Sequence, residues 1–501
     1  MQSRASPLVV NISPPVRLQA TSSRQVLDYG FLQRVFLILG LLLALVAPFS
    51  RDPLPFAVGG FVPWIVLSMI GRPTMPVAVI YYLIWQWGQV FARVVLSTMD
   101  GETLAGGGYG PGVLNAYWYM LASIVVLALT FRLILGNLPP PTREDQQAHL
   151  EWRPLDLFVL YCGMLVLAIA SGAATRVIPG LAQQFEAVSR LKIVAEFLLF
   201  ATVLATGRGG KLMVAAVLVE IVIGFSGLLS DFRGVFIYLA MAAIAARIAL
   251  SGKAIVGGII WLSVLLALGV FWTAVKTDYR DYLFGGEETQ RSSVPFSDRI
   301  AYLGALAFSP ETIDWGAASY AMLGRFAYVD IFGSVIGAQE GARGTVPMRQ
   351  WQEALDHVFK PRIFFPEKAA LSDTETYARL TGTDPALVMR ASTSISVGYM
   401  CENFVDLGFP GMLGGMLVIG ILFAFIIRYF MRSRLPWMVR QGIVLAFVYN
   451  IAASGVESAL PKLFGSAVMF FIVYLLLVKF VLPAGLKWLN TRADMEAPRP
   501  S

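Results

Sequence analysis

A guanidinium group placed where an apolar helix meets water is well suited to hold phosphate, because its planar fork donates two parallel hydrogen bonds to an oxyanion. The stretch Ser230-Asp231-Phe232-Arg233-Gly234 sets one such group between two apolar runs, beside a glycine that lets the backbone approach closely. A second, Asp278-Tyr279-Arg280-Asp281-Tyr282, follows another apolar run and is flanked by tyrosines of the interfacial type. Together Arg233 and Arg280 read as the halves of an anion clamp. Singly, Arg233 reads equally well as a membrane-edge arginine partnered by Asp231, and Arg280 reads more often as a membrane-edge anchor.

Proton transfer has three candidates. His357 lies in Asp356-His357-Val358-Phe359-Lys360-Pro361-Arg362, and an imidazole with an ordinary pKa of about 6.5 serves as a general base or as a donor to phosphate. Glu402 and Asp406 stand four apart, on one face of a helix about to enter an apolar run, and read as bases, as partners for the arginines or, equally well, as solvating groups at a helix terminus. Glu220 and Glu196 fall inside apolar runs, where each is expected to be paired or protonated. Trp315, Tyr320 and Tyr328 offer aromatic faces for stacking on sugars or for contact with lipid. No phosphate-binding glycine loop with lysine, His-Glu-x-x-His or Asp-rich cation cluster occurs, so the expected chemistry runs on arginine electrostatics and a base, without metal or cofactor.

These residues are carried on a scaffold that the composition defines. Of 501 residues 57% are hydrophobic and only 14% charged, outside the range of ordinary soluble domains. The net charge of +7 sits largely in short loops, where it sets topology rather than binding nucleic acid. Two cysteines far apart, Cys162 and Cys401, give no disulfide framework. With roughly 20 apolar residues needed to cross a bilayer core, the chain reads as an all-α polytopic membrane protein of about twelve spans, near 30–49, 54–70, 75–93, 113–136, 155–174, 190–207, 211–229, 234–250, 254–275, 408–430, 438–455 and 464–484.

Lys and Arg in the short loops favour both termini on the cytoplasmic side. Residues 1–28 then form a tail, 29–275 the first nine spans, 276–393 a large exterior loop, 394–484 the last three spans and 485–501 a second tail. The loop carries Arg280, Arg299, Arg325, Arg362 and His357, and its apolar residues at helical spacing over 297–337 predict amphipathic helices lying on the bundle or re-entering it. Pro361, Pro366 and Pro385 break its later part. No internal repeat relates the two halves, which counts against a transporter built by duplication.

The Arg-Gly after a helix on the outer face, the long late loop, the segment PRIFFPEKAAL and the run SISVGYMCENFVDLGFPGMLGGMLVIG resemble the O-antigen polymerases of the Wzy type, which build bacterial surface polysaccharides. The resemblance covers about the second half of the chain, and paired Arg-x10-Gly motifs are missing. It implies a bundle like that of C-type membrane glycosyltransferases and a multi-pass inner-membrane protein that joins undecaprenyl-diphosphate-linked repeat units, with a chain-length regulator as a further partner. In that reading Arg233 and Arg280 bind the diphosphates, followed by Arg299, Arg325 and Arg362, and His357 matches the loop histidine of the O-antigen ligases. A glycan ligase with another acceptor and a lipid-linked-oligosaccharide flippase are the competing expectations.

Overall fold

The structure is a computed structural model and describes residues 25–226, 231–284, 294–309, 313–341, 348–360, 365, 367, 371–384 and 395–495. Among them the regular structure is helical: α1 Tyr29–Val46, α2 Pro53–Ile70, α3 Val77–Asp100, α4 Gly112–Leu135, α5 Arg143–Gln147, α6 Pro154–Val177, α7 Ala182–Ser189, α8 Leu191–Thr206, α9 Gly210–Ser226 and α10 Arg233–Ala245. There follow α11 Gly252–Phe284, α12 Phe296–Ala307, α13 Trp315–Phe326, α14 Val329–Gly341, α15 Arg349–Phe359 and α16 Asp373–Thr381. The chain closes with α17 Tyr399–Met431, α18 Trp437–Ala452, α19 Leu460–Leu476 and α20 Leu482–Asp494.

Among the described residues each of the twelve apolar runs holds a helix. Among the described residues eight helical stretches are long and apolar enough to cross a membrane, so the chain is a polytopic membrane protein. The other four runs form α8, α9, α10 and α18, of 16, 17, 13 and 16 residues. At 1.5 Å per residue they reach about 20–26 Å, less than a bilayer core. Two of them are interior helices: α8 and α18 pack on each other and are buried nearly all round, as a helix apolar on every face must be. The outer helices show the reverse. On α11 Ile255, Val256, Ile259 and Ile260 are exposed, and on α1 Leu41, Leu42 and Leu45, a surface that suits lipid rather than water.

Several boundaries differ from those expected. Helix α11 continues past 275 to Phe284, so Asp278–Tyr282 is helical, because no proline or glycine follows the apolar run until Gly285 to stop it. The tenth run is helical from Tyr399, with non-helical φ/ψ at Gly408 and Phe409 ahead of Pro410. Glu402 and Asp406 therefore occupy a short helical piece before the break. At the end of the chain α19 runs through a π-helical turn, Leu477–Val481, into α20, so the segment after 484 is helical to Asp494. Within 276–393, helices α12 to α16 fill the described parts. Helices α13 and α14 meet at 57° and together are apolar enough for a ninth span. Helix α15 is amphipathic, burying Gln350, Trp351 and Ala354 and exposing Gln352, Leu355 and Asp356.

The helix connections group at two ends of the bundle. At one end Asp145 accepts from Arg440 and from the Trp437 amide (2.8 Å), Gln441 accepts from the Val77 amide (3.0 Å), the Trp152 indole donates to Asn490 (2.9 Å) and Arg247 pairs with Asp28 (3.3 Å). The polar residues of interest gather at the other.

Candidate functional site

The connection between α18 and α19, residues 453–459, is where the second end is tied together. Gln89, midway along α3, grips it from both sides: its amide nitrogen donates to Ser454 O (3.3 Å) and to a Glu457 carboxylate oxygen (3.0 Å), and its oxygen accepts from the Val456 amide (3.0 Å). Gly455 makes the grip possible. Its φ of 64° is left-handed, and a Cβ there would fall 1.8 Å from the Gln89 oxygen. Gly398 does the same for α17, with φ 81° and a Cβ position 2.1 Å from Val456 O, so that the Tyr399 amide can donate to Ser458 O (2.7 Å).

Arg233 begins α10 and reaches this connection. Its terminal nitrogen donates to Ala453 O at 2.6 Å, and the guanidinium lies 5.3 Å from the centre of the Trp85 ring, within cation–π range. Asp231 is not hydrogen-bonded to Arg233; it accepts from the Tyr449 hydroxyl. Gly234 provides the close approach that its sequence position suggests, since a Cβ would lie 2.8 Å from the Tyr449 hydroxyl and 2.9 Å from that of Tyr238. Arg190, just before α8, adds a third guanidinium: it donates to Asn450 (3.3 Å), pairs with Glu186 (2.7 Å) and lies 5.7 Å from the Tyr449 ring centre.

Opposite Arg233 stands Arg325, contributed by α13. It is exposed, and its electrostatic neighbours are Glu457 and Arg233. Among the described residues Arg325 makes no hydrogen bond or ion pair. Two like charges thus face one another with Glu457, half-buried, beside both. Burial raises the Glu457 carboxyl from 4.5 to about 6, against the pull of Arg233, Arg325 and the Gln89 hydrogen bond. The arrangement is a polar cluster with one exposed, unpaired guanidinium beside the half-buried Arg233 and Glu457, and such a cluster can take an anion.

The other expected site residues fall elsewhere. Arg280 lies on α11, half-buried, its Nε without a hydrogen bond. Arg299, on α12, donates to Val294 O at 2.8 Å. Arg362 lies outside the described residues. His357 is placed on α15 against α7 and α19: its Nε2 is 2.9 Å from the Gln183 amide nitrogen, and Gly465 packs against its ring. There it borders a cavity of about 380 Å³ that Gln183, Gln184, Lys462, Val468 and Met469 also line. Lys462 is engaged by Asp373.

Glu402 and Asp406 have capping duties. Glu402, 2% exposed, accepts from the Leu460 amide at the start of α19, and Asp406 accepts from the Gln350 (3.2 Å) and Trp351 (2.8 Å) amides at the start of α15. Both carboxylates satisfy orphan donors of helix N-termini, the positive ends of those dipoles. Of the aromatic residues, Trp315 is exposed, Tyr320 donates to Asp100 (2.8 Å) and Tyr328 donates to Ser396 O.

Sequence reading passed over Glu457, Gln89, Tyr449 and Arg190. Glu457 carried a usable signal, because it is the one acid in the short connection between the last two apolar runs, at the end assigned to the arginines. Gln89 carried none, since a glutamine in an apolar run looks the same whether it packs or pins a loop. Among the described residues no group of three His, Cys, Asp or Glu side chains is placed to hold a metal ion. Comparisons of this chain with protein-family models, with curated proteins and with solved structures find no match.

Proposed function

We propose that this protein is a bacterial inner-membrane glycosyltransferase that polymerises undecaprenyl-diphosphate-linked oligosaccharide repeat units at the outer face. The observation that carries the reading is the meeting of Arg233 and Arg325, from stretches far apart in sequence, across Glu457 at one end of the bundle. A glycosyl diphosphate is an activated donor whose leaving group gains charge as the glycosidic bond breaks. Fixed guanidinium groups in a partly dry cleft stabilise that charge without metal. Glu457, beside both arginines, is the carboxylate best placed to take the proton of the acceptor hydroxyl, a role the sequence had offered to His357, Glu402 and Asp406. The diphosphate clamp accordingly pairs Arg233 with Arg325 rather than with Arg280. In this reading the arginine end is exterior and both termini are cytoplasmic, as the distribution of positive loops supports.

A glycan ligase would use the same donor chemistry on another acceptor. The flippase reading gains from a specific observation: ionisable side chains are buried inside the bundle, Glu196 and Glu220 near α8 and Arg93 with Asp330 near α3, and not confined to the 276–393 segment. Deletion of the gene, with the glycan profile of surface and membrane fractions as readout, separates the three. Single repeat units on the surface support polymerisation. Long chains left on the lipid carrier point to a ligase, and units trapped on the cytoplasmic face point to a flippase.

A further inference from the structure

Beneath the arginine cleft, where α6, α8, α9 and α10 pack together, lies a second cluster of ionisable groups. Lys192 of α8 pairs with Glu220 of α9 at 2.6 Å, and the Tyr161 hydroxyl of α6 donates to the other oxygen of Glu220 at 2.9 Å. Glu220 is thereby neutralised and satisfied. Glu196 is not. It stands one helical turn beyond Lys192 on α8, is 0% exposed, and neither carboxylate oxygen has a hydrogen-bond partner among the described residues. The charged and titratable groups facing it are Glu220 from α9, Lys192 from its own helix, Asp231 and Tyr238 from the α10 side and Tyr161 from α6.

The charges do not balance. Lys192 supplies one positive charge, and it is spent on Glu220. An ionised Glu196 would add a buried negative charge that nothing solvates, beside two further carboxylates, which an apolar interior does not sustain. A compact cation at the carboxylate removes the conflict. We infer that Glu196 is a proton-binding site inside the bundle, with the Glu220–Lys192 pair as its fixed counter-charge and Asp231, exposed at the cleft, as the group through which a proton reaches it. The site follows from the charge balance of α6, α8, α9 and α10 and holds whether the cleft above serves transfer or transport. Its ligand is H⁺; sodium, the other small cation a buried carboxylate could take, needs several converging oxygen ligands, and among the described residues no group of three His, Cys, Asp or Glu side chains is placed to hold a metal ion.

Infrared spectroscopy of the full-length protein in lipid nanodiscs at neutral pH tests the site. The wild-type spectrum minus that of Glu196→Gln should contain a protonated-carboxyl stretch. The band should persist when sodium replaces potassium, and Glu186→Gln, which alters an exposed carboxylate, should leave it in place. Glu220→Gln should abolish it as well, because Lys192 is then free to pair with Glu196 and ionise it. A band that survives Glu196→Gln, or one that sodium removes, overturns the assignment.

Discussion

The Arg93 guanidinium and the Asp330 carboxylate meet at 2.6 Å between α3 and α14, with side chains only 4% and 10% exposed. This pair fastens the 276–393 segment into the bundle, next to the contact where Gly333 of α14 packs against Val113 at the start of α4. It also sets the height of α13, and with it of Arg325, because α13 and α14 are joined through a two-residue bend.

Removing one partner of a buried pair strands the other charge, so Asp330→Asn or Arg93→Met should each cost about 3–5 kcal/mol. Replacing both with leucine should recover most of that loss. Thermal unfolding in detergent checks the order of the three variants, and a double variant less stable than either single one would contradict the role assigned to the pair.

Gly455→Ala should be destabilising by about 1–3 kcal/mol, since the left-handed φ and the Gln89 oxygen both oppose a side chain there. Anion binding should weaken with it, because Gln89 can no longer hold Glu457. Gly485→Ala is the matched control: that glycine sits within α20 with no atom near its Cβ position, and alanine should stabilise by up to about 1 kcal/mol.

At the opposite end of the bundle, burial lowers the His149 imidazole from 6.5 to about 4. The neutral ring is the folded form and the unfolded chain takes up the proton first. His149 therefore contributes stability that is complete above pH 6.5 and is lost as pH falls towards 4, on the order of 3 kcal/mol in all. The unfolding midpoint of wild type, taken relative to that of His149→Gln, should fall as pH drops across that window.

Glu457 gives the cleft a pH dependence of two signs. Below about 6 the carboxyl is neutral, which leaves Arg233 and Arg325 more attractive to an anion; above it the carboxylate is free to accept a proton. Donor affinity should fall and transfer rate should rise as pH increases through 6. Glu457→Gln should bind donor at least as well as wild type at neutral pH, and transfer should drop 100-fold or so, the usual worth of a general base. A variant that keeps full transfer would remove Glu457 from the mechanism.

Much of the scaffold was legible in the chain. Long apolar runs with polar breaks leave little choice but helices, so each of the twelve runs holds a helix among the described residues, eight of them long and apolar enough to cross a membrane, and ends were missed where the helix carries on past the apolar stretch, as at Lys276 to Phe284 and beyond Leu482. The site was half legible. Arg233 beside Gly234 and Arg325 in the late segment are visible because a guanidinium at a membrane edge has the geometry to hold an oxyanion. Their meeting was not visible, since it depends on Gln89, Gly455 and Glu457 drawing α3, α13 and α18 to one point. Glu402 and Asp406 show the opposite failure: a buried carboxylate that caps a helix in another part of the chain looks, in sequence, like a catalytic acid.

The most direct measurement is binding of a lipid-linked glycan diphosphate to the purified full-length protein in nanodiscs, for wild type, Arg233→Ala, Arg325→Ala and the double variant. A shared clamp predicts that each single variant loses about tenfold or more in affinity, that the double variant loses less than the sum of the two, and that the glycan linked to a neutral lipid binds all four proteins alike. Undiminished diphosphate binding by Arg233→Ala and Arg325→Ala would contradict the clamp, and the glycosyl-transfer reading with it.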